Sequence, residues 1–512
     1  MKIYFHICSE QRVTKRRSLT VIEGIKMIKE NLQEKITEAY NSETFKEQGY
    51  KMIDMLSEYL ANITKDTDSR VFSNKTPRQV EDIFKCTFQG DRGTEYIEIE
   101  KDLMREITPL HSPHFLGHQV SSPLPLSALS NAMMSLLNNS NCVYEMGRGA
   151  AGIERAVTKW MCKKIGYNES SDGFLTSGGT LGNLTALLSA RQAKAGYDIW
   201  SEGVKSEKQL AVLVSEQSHY SVKRAAAIMG IGNNGAISVA SDENYRMDIN
   251  ALKEEYTKAK AQGKEVFAVV ANSCSTATGT YDDLESIAEF CKENNLWLHA
   301  DGAHGAAALL SDKYRGHLKG IEHADSVVWD AHKMMMLPAL ATGVLFKNGK
   351  MSRQTFSQNA SYILDRLDDS NWYDYGLRTM ECTKPFMSLN VYSTLKHYGE
   401  KFFGDYIDYV YELTKEFANF LESSEDFEIA VMPESNIICF RYTNSKADLN
   451  DLQIKIREKL LDEGNFYIVK TGLRGKTYLR CTIINPYTDM SHLKALVEDI
   501  RKIAADILHP VS

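Results

Sequence analysis

From residue 127 onward, short uninterrupted apolar runs alternate with amphipathic stretches. The runs cover residues 173–176, 210–215, 266–271, 296–300 and 326–329, and the clearest helical patterns cover 152–165, 181–194 and 284–293. A strand with one wet face alternates polar and apolar residues. These runs do not, so each is expected to be covered on both sides. Strand–helix alternation of this kind predicts an α/β domain built on a mostly parallel sheet. After Tyr398-Gly399 the order changes to helix, strand (FEIAV), strand (NIICFRY), helix (LNDLQIKIREKLL), strand (FYIVK), strand (TYLRCTII) and helix (MSHLKALVEDIRKIAADIL), a small α+β domain.

Before residue 127 the pattern is poorer. Thr44 with Glu47 fits a capping box, and Ile53, Leu56, Leu60 and Ile63 then share one helical face that needs a partner, such as a second subunit. Five of the ten prolines (Pro77, Pro109, Pro113, Pro123, Pro125) precede Ser127. The expected organisation is a leader over 1–43, a helical and irregular segment over 44–126, a large domain over 127–398 and a small one over 399–512. A net charge of −7 offers no general attraction for nucleic acid or anionic membrane. No apolar run has the roughly 18 residues of a membrane span. The start, MKIYFHICSEQRVTKRR, lacks the apolar core of a secretory signal, and nine scattered cysteines form no CxxC pair. Both point to reduced thiols in a cytoplasm.

Two of the apolar runs end in charge. LWLHA delivers Asp301, and ADSVVWDAH delivers Lys333. Ligands of open α/β sheets sit beyond the carboxyl ends of the strands, so both side chains are placed to face one ligand. Thr176-Ser177-Gly178-Gly179-Thr180 joins a strand to a helix. Glycines there expose amides, Ser177 and Thr180 add hydroxyls, and the helix dipole favours an anion; a capped turn is the plain alternative. No Gly-Lys-Ser/Thr follows, so a single phosphate fits better than a nucleotide. His219, after LAVLVSEQS, is positioned to stack on a flat ring. A carboxylate keeps a pyridinium protonated by a charge-assisted hydrogen bond, and a lysine holds an aldehyde cofactor as a Schiff base. Small Ala303 leaves room for the ring. Together these parts fit pyridoxal 5′-phosphate.

Other motifs are weaker. Gly230-Ile-Gly232-Asn-Asn-Gly235 matches GxGxxG but follows a helix and precedes a strand, the reverse of dinucleotide binding. Gly147-Arg-Gly149-Ala-Ala-Gly152 lacks an acidic strand end downstream. His111, His114 and His118, or His299, Asp301 and His304, offer metal-ligand types without metal-site spacing, so no metal is expected.

SEQSHYSVKRAA, LWLHADGAHG, ADSVVWDAHKMM and TSGGTLGN resemble the group II pyridoxal-phosphate-dependent amino acid decarboxylases, from about Gly49 to near the C-terminus. The resemblance implies an aspartate aminotransferase-like large domain and a homodimer with a shared active site. It makes Lys333, preceded by His332, the Schiff-base lysine, Asp301 the pyridine partner, His219 the stacking residue and 177–180 the phosphate loop. TYLRCTIINP places Arg480 on the substrate carboxylate, and HFLGHQVSSP brings Gln119 and Ser121 to the site. Three departures stand out. Asp330-Ala replaces a frequent Asn-Pro, and a carboxylate helps a phosphate as an amide does only when protonated. NSCSTATGT replaces a Thr-Ala-Gly-Thr-Thr run. Asp369 holds the place of a mobile-loop tyrosine, leaving Tyr373 or Tyr375 to act. The implied reaction converts an L-amino acid to an amine and CO2, with an acidic substrate favoured. Diaminobutyrate or aromatic substrates, an O2-consuming aldehyde synthase, an aminotransferase and an inactive binding protein remain as alternatives.

Overall fold

The computed structural model describes residues 26–27, 29–65, 70–85, 96–205, 207, 209–356, 371–444 and 446–509. The chain forms two units, one from residues up to 66 together with 75–107, the other from 67–74 together with 108–512.

In the first unit, the helix Ser42–Ile63 is capped by Asn41, whose side chain accepts from the amides of Glu43 and Thr44. The expected cap at Thr44 is therefore wrong. Asn41 offers its carbonyl oxygen two and three residues ahead, the stronger arrangement, and Glu47 instead pairs with Lys51 at 2.8 Å. A capping box does form at Thr76 and Gln79, opening the helix Pro77–Ile83. Ile63 is buried, while Ile53 remains 43% exposed.

The second unit carries a seven-stranded sheet: β1 (Asp172–Thr176), β2 (Gln209–Ser215), β3 (Ala236–Val239), β4 (Lys264–Asn272), β5 (Trp297–Asp301), β6 (Ser326–Asp330) and β7 (Thr342–Phe346), in the order β1-β7-β6-β5-β4-β2-β3. All pairings are parallel except those of β7 with β1 and β6. The expected α/β fold is present. The sequence reading left out β7 (TGVLF), a strand of five residues that reads as the tail of the preceding loop. Burial on both faces is visible within single strands. Leu213, Val269, Leu298 and Val327 enter one core, while Val212, Val214, Val270 and Trp297 enter the other. Every residue of β1, β5, β6 and β7 is buried, which explains the unbroken apolar runs.

The C-terminal part forms an antiparallel sheet, β8 (Phe427–Ile429), β9 (Ile437–Tyr442), β10 (Val469–Leu473) and β11 (Lys476–Thr482), in the order β10-β11-β9-β8. The helices Leu449–Glu463 and Met490–Leu508 close a third core with it through Ile456, Leu460, Leu496 and Ile500. The strand expected at FYIVK begins three residues later, at Val469. Its leading part instead runs beside residues 114–116, with Leu116 donating to the Tyr467 carbonyl.

Candidate active site

Because β1 is antiparallel to β7 and β7 to β6, the carboxyl ends of β1, β2, β5 and β6 share one edge of the sheet. Thr176, Ser215, Asp301 and Asp330 are their last residues. The turns that follow carry Ser177–Thr180, His219, Ala303 and Lys333, so topology brings together residues far apart in the chain.

Asp301 is held from two sides, by a helix and by its own following turn. Asn183, in the helix Gly179–Lys194, donates from Nδ2 to Asp301 Oδ2 at 2.8 Å and to Ser221 Oγ at 3.0 Å. Its Oδ1 lies 3.0 Å from His299 Nε2, and His299 Nδ1 lies 2.9 Å from Ser326 Oγ, which accepts from Trp297 Nε1 at 2.8 Å. With the Asn183 oxygen as acceptor, His299 donates from Nε2 and Ser326 donates to Nδ1. Burial pushes the His299 imidazole down to about 4, so it is neutral. Ser221 also meets His219 Nδ1 at 2.8 Å. One buried amide thus fixes both the expected pyridine partner and the expected stacking histidine. Nothing in the sequence marked Asn183 except its place one helical turn after the glycine loop. The amide of Ala303 reaches Asp301 Oδ1 at 3.3 Å.

Lys333 Nζ lies 2.9 Å from Asp330 Oδ2. Burial works against its charge, but Asp330 and then Asp301 outweigh it and hold the amine above its ordinary value. Burial likewise opposes the charge on Asp330, and Lys333, His332 and the Thr342 hydroxyl hold its carboxyl below the usual range. His219 is drawn down by burial, with Asp301 and Lys333 acting on it in opposite senses.

Arg480, on β11, is 6% exposed, and its Nε and Nη2 have no partner among the described residues. It lies in the electrostatic reach of His304 and Cys274, both of which also sense Lys333. The segment 118–121 links the two regions. His118 feels Arg480, the Gln119 Nε2 is buried and unpartnered, and Ser121 donates to the His332 carbonyl at 3.2 Å. Ser121 thus ties the segment 118–121 to the lysine turn.

Ser177 and Thr176 both donate to Glu381 Oε1, at 3.3 and 2.6 Å. Gly178 has φ of +103°, and a Cβ on Gly179 would stand 3.1 Å from Asp330 Oδ2 and 3.3 Å from the Ala303 Cβ. Side chains there would fill the space between the loop and the strand ends. Tyr373 packs against Tyr144 and Trp372, at ring distances of 5.3 and 5.7 Å. Tyr375 is fully buried beneath Lys384. Asp369 lies outside the described residues. His304 Nε2 bonds Asn436 Oδ1 at 2.7 Å. Among the described residues no group of three or more His, Cys, Asp or Glu is placed to hold a metal ion, and no helix is long and apolar enough to cross a membrane.

A family model described as the pyridoxal-dependent decarboxylase conserved domain matches residues 91–443. The aromatic-L-amino-acid decarboxylase of Bacillus atrophaeus is 28% identical over 489 residues, 93% of this chain and 98% of the relative. The aspartate 1-decarboxylase of Aliivibrio fischeri is 30% identical over 443 residues, 77% of this chain and 80% of its own. The glutamate decarboxylase domain of a diaminobutyrate-pyruvate transaminase and L-2,4-diaminobutyrate decarboxylase from Vibrio parahaemolyticus superposes with a TM-score of 0.77 at 27% identity, covering 89% of this chain and 96% of that one. The strand-end carboxylate and lysine, read from this chain alone, and the match across most of its length lead to one conclusion: the chain belongs to the pyridoxal-dependent decarboxylase family and is a pyridoxal 5′-phosphate-dependent amino acid carboxy-lyase.

Proposed function

We propose that the substrate is an acidic L-amino acid of the glutamate, aspartate or cysteine sulfinate type, and that Arg480 holds its α-carboxylate. The carrying observation is the enclosed Arg480 guanidinium with Nε and Nη2 both unmet among the described residues. Those two N–H groups form the edge that grips a carboxylate through parallel hydrogen bonds. The unmet Gln119 Nε2, close along the chain to His118, adds a donor that suits a second anionic group.

Pyridoxal 5′-phosphate, when bound, supplies a protonated ring that accepts the electron pair left behind as CO2 departs. The residues present fit it. Lys333 would hold it through its amine, Asp301 would face the ring nitrogen, and His219 would lie against the ring. Ala303 would form the floor beside His332, and Ser177, Gly178, Gly179 and Thr180 would take the phosphate at the helix start. Asp301 keeps lone pairs beyond those taken by Asn183 and Ala303, enough to hold a proton at a facing nitrogen. Arg480 fixes the carboxylate so that the bond to be broken has one orientation, which is the protein's main contribution to rate. Lys333, kept protonated by Asp330, would return a proton to the substrate carbon, with Tyr373 as the other candidate acid.

A homodimer is part of the same reading. Leu126, Leu129, Met133 and Leu136 lie on one face of the helix Pro125–Leu137 and are 44%, 50%, 54% and 66% exposed. A contiguous apolar stripe of that size marks an interface. The free cysteines are in keeping with a cytoplasmic enzyme.

The test is incubation of the cofactor-loaded protein with single amino acids while CO2, O2 and amine are measured. Equal CO2 and amine from an acidic amino acid, with no O2 consumed, is expected. A preference for diaminobutyrate or aromatic amino acids would overturn the substrate reading. O2 uptake with aldehyde would indicate an aldehyde synthase, a 2-oxo acid without CO2 an aminotransferase, and loading without turnover a binding protein.

A further inference from the structure

The last residue of β6 is a carboxylate placed where the proposed phosphate loop begins. Asp330 is 1% exposed. Its Oδ1 accepts from the Thr342 hydroxyl at 2.6 Å, and its Oδ2 lies 2.9 Å from Lys333 Nζ and 3.7 Å from His332 Nε2. On the opposite side, a Cβ at Gly179 would meet Oδ2 at 3.1 Å and Oδ1 at 3.4 Å. Gly179 is the first residue of the helix Gly179–Lys194, where amides have no partner within the helix. Asp330 is thus an anion already seated against the positive end of that helix. A phosphate arriving at Gly179 and Thr180 must come close to it.

Two anions facing each other in a dry site do not both keep full charge; the pair binds a proton instead. The other charged or titratable groups in the electrostatic reach of the carboxylate are Lys333, His332, His219 and His304. Asp301 also acts on Lys333. Lys333 and His332 are the groups nearest to Asp330. Lys333 is also needed for the cofactor's aldehyde, and its positive charge is already engaged with Asp330 before any ligand enters. The cation nearest the carboxylate is therefore already engaged; on the side of residues 177–180, Arg224 lines the same hollow as Ser177 and Thr180, and Glu381 accepts from the Ser177 amide and hydroxyl.

We propose that Asp330 couples binding of the phosphorylated cofactor to uptake of one proton, shared between its carboxylate and a phosphate oxygen. The inference rests on the reading that the phosphate seats at residues 177–180. No bond is made or broken apart from this proton, which comes from solvent. At neutral pH the carboxyl is ionised before the ligand arrives, since Lys333 holds it below its usual range against the effect of burial. The ligand raises its affinity for a proton. Cofactor affinity must then weaken as pH rises, by up to about tenfold per pH unit while the proton is taken up only in the complex.

The experiment uses cofactor-free protein and two probes without an aldehyde, 4′-deoxypyridoxine 5′-phosphate and 4′-deoxypyridoxine. Neither can react with Lys333, so only the phosphate differs. Dissociation constants are measured by fluorescence from about pH 6 to about pH 8.5, for the parent and for Asp330→Asn. The parent is expected to lose affinity for the phosphorylated probe steeply as pH rises. Asp330→Asn is expected to bind it at least about tenfold more tightly at the alkaline end, with a flatter profile. The unphosphorylated probe is expected to show neither difference. The parent's own pH series, compared between probes, stands even if the variant does not fold. Equal pH profiles for the two probes in the parent, or an unchanged profile in Asp330→Asn, would overturn the Asp330 inference while leaving the cofactor site standing. Failure of both proteins to bind the phosphorylated probe at any pH would overturn the cofactor-site reading as well.

Discussion

Asn183→Leu keeps the side-chain volume and removes the amide that ties Asp301 to His299 and Ser221. Three buried groups lose a partner: Asp301 Oδ2 at 2.8 Å, Ser221 Oγ at 3.0 Å and His299 Nε2 at 3.0 Å. Ser221 retains His219, so the main losses fall on the carboxylate and the imidazole. Leaving a buried polar group unmet costs about 1–3 kcal/mol, and more for a charge, giving on the order of 3–5 kcal/mol in all. For a unit of this size that corresponds to a fall in Tm of roughly 5 °C. Asp301 would also lose its aim at the ring nitrogen. One charge-assisted hydrogen bond of about 1.5 kcal/mol corresponds to about tenfold in cofactor Kd. Circular-dichroism melts of cofactor-free protein and absorbance titration with pyridoxal 5′-phosphate read the two effects separately. Asn183→Asp gives the contrast: a second carboxylate against Asp301 is expected to melt lower still, with partial recovery in acid. Were Asn183→Leu to melt within about 1 °C of the parent and bind cofactor equally well, the amide would not be what holds Asp301.

Lys333→Ala is expected to abolish both turnover and the absorbance band of bound cofactor; an unchanged spectrum would refute its assignment. Arg480→Gln removes two charge-assisted hydrogen bonds, so kcat/KM for the preferred amino acid is expected to fall by about 10²–10³ without a lower Tm, because an unpaired buried charge is also removed; steady-state CO2 release and a melt check this. The cofactor-free protein is expected to lose stability in acid. Burial depresses His299 to about 4 and His304 to about 3 in the fold, from 6.5. The unfolded chain binds those protons first, so the stabilisation is complete above about pH 6.5 and is lost as pH falls through about 4 and then about 3; urea midpoints measured against pH test the sign, and His299→Gln is expected to flatten the slope. Replacing Leu129 and Met133 together by Glu is expected to halve the mass seen in light scattering, and an unchanged mass would exclude that helix face from the interface.

Much of the fold could be read directly from the chain because double-sided burial leaves a local mark. Five parallel strands with no polar alternation were visible as apolar runs, and the charged residue closing two of them pointed to one ligand edge. Strand ends and turn residues are adjacent in sequence, so Asp301, Lys333 and the 177–180 loop were accessible without a structure. The helix cap at Asn41 instead of Thr44, the start of β10 and the existence of β7 were not, since each depends on which neighbour competes for the same backbone groups.

What the sequence determined alone is the set of chemical groups and the kind of sheet that carries them, because periodicity and residue type are properties of neighbouring positions. Only the tertiary structure decided which groups meet. Asn183 reaches Asp301 across 118 positions, and Ser121 reaches the His332 carbonyl across 211. Asp330 lies against Gly179, a proximity that the two distant segments do not reveal by themselves. The physical reason is that hydrogen bonds and charge pairing act over a few ångströms of space. Sheet order, and not chain order, sets which residues come within that distance.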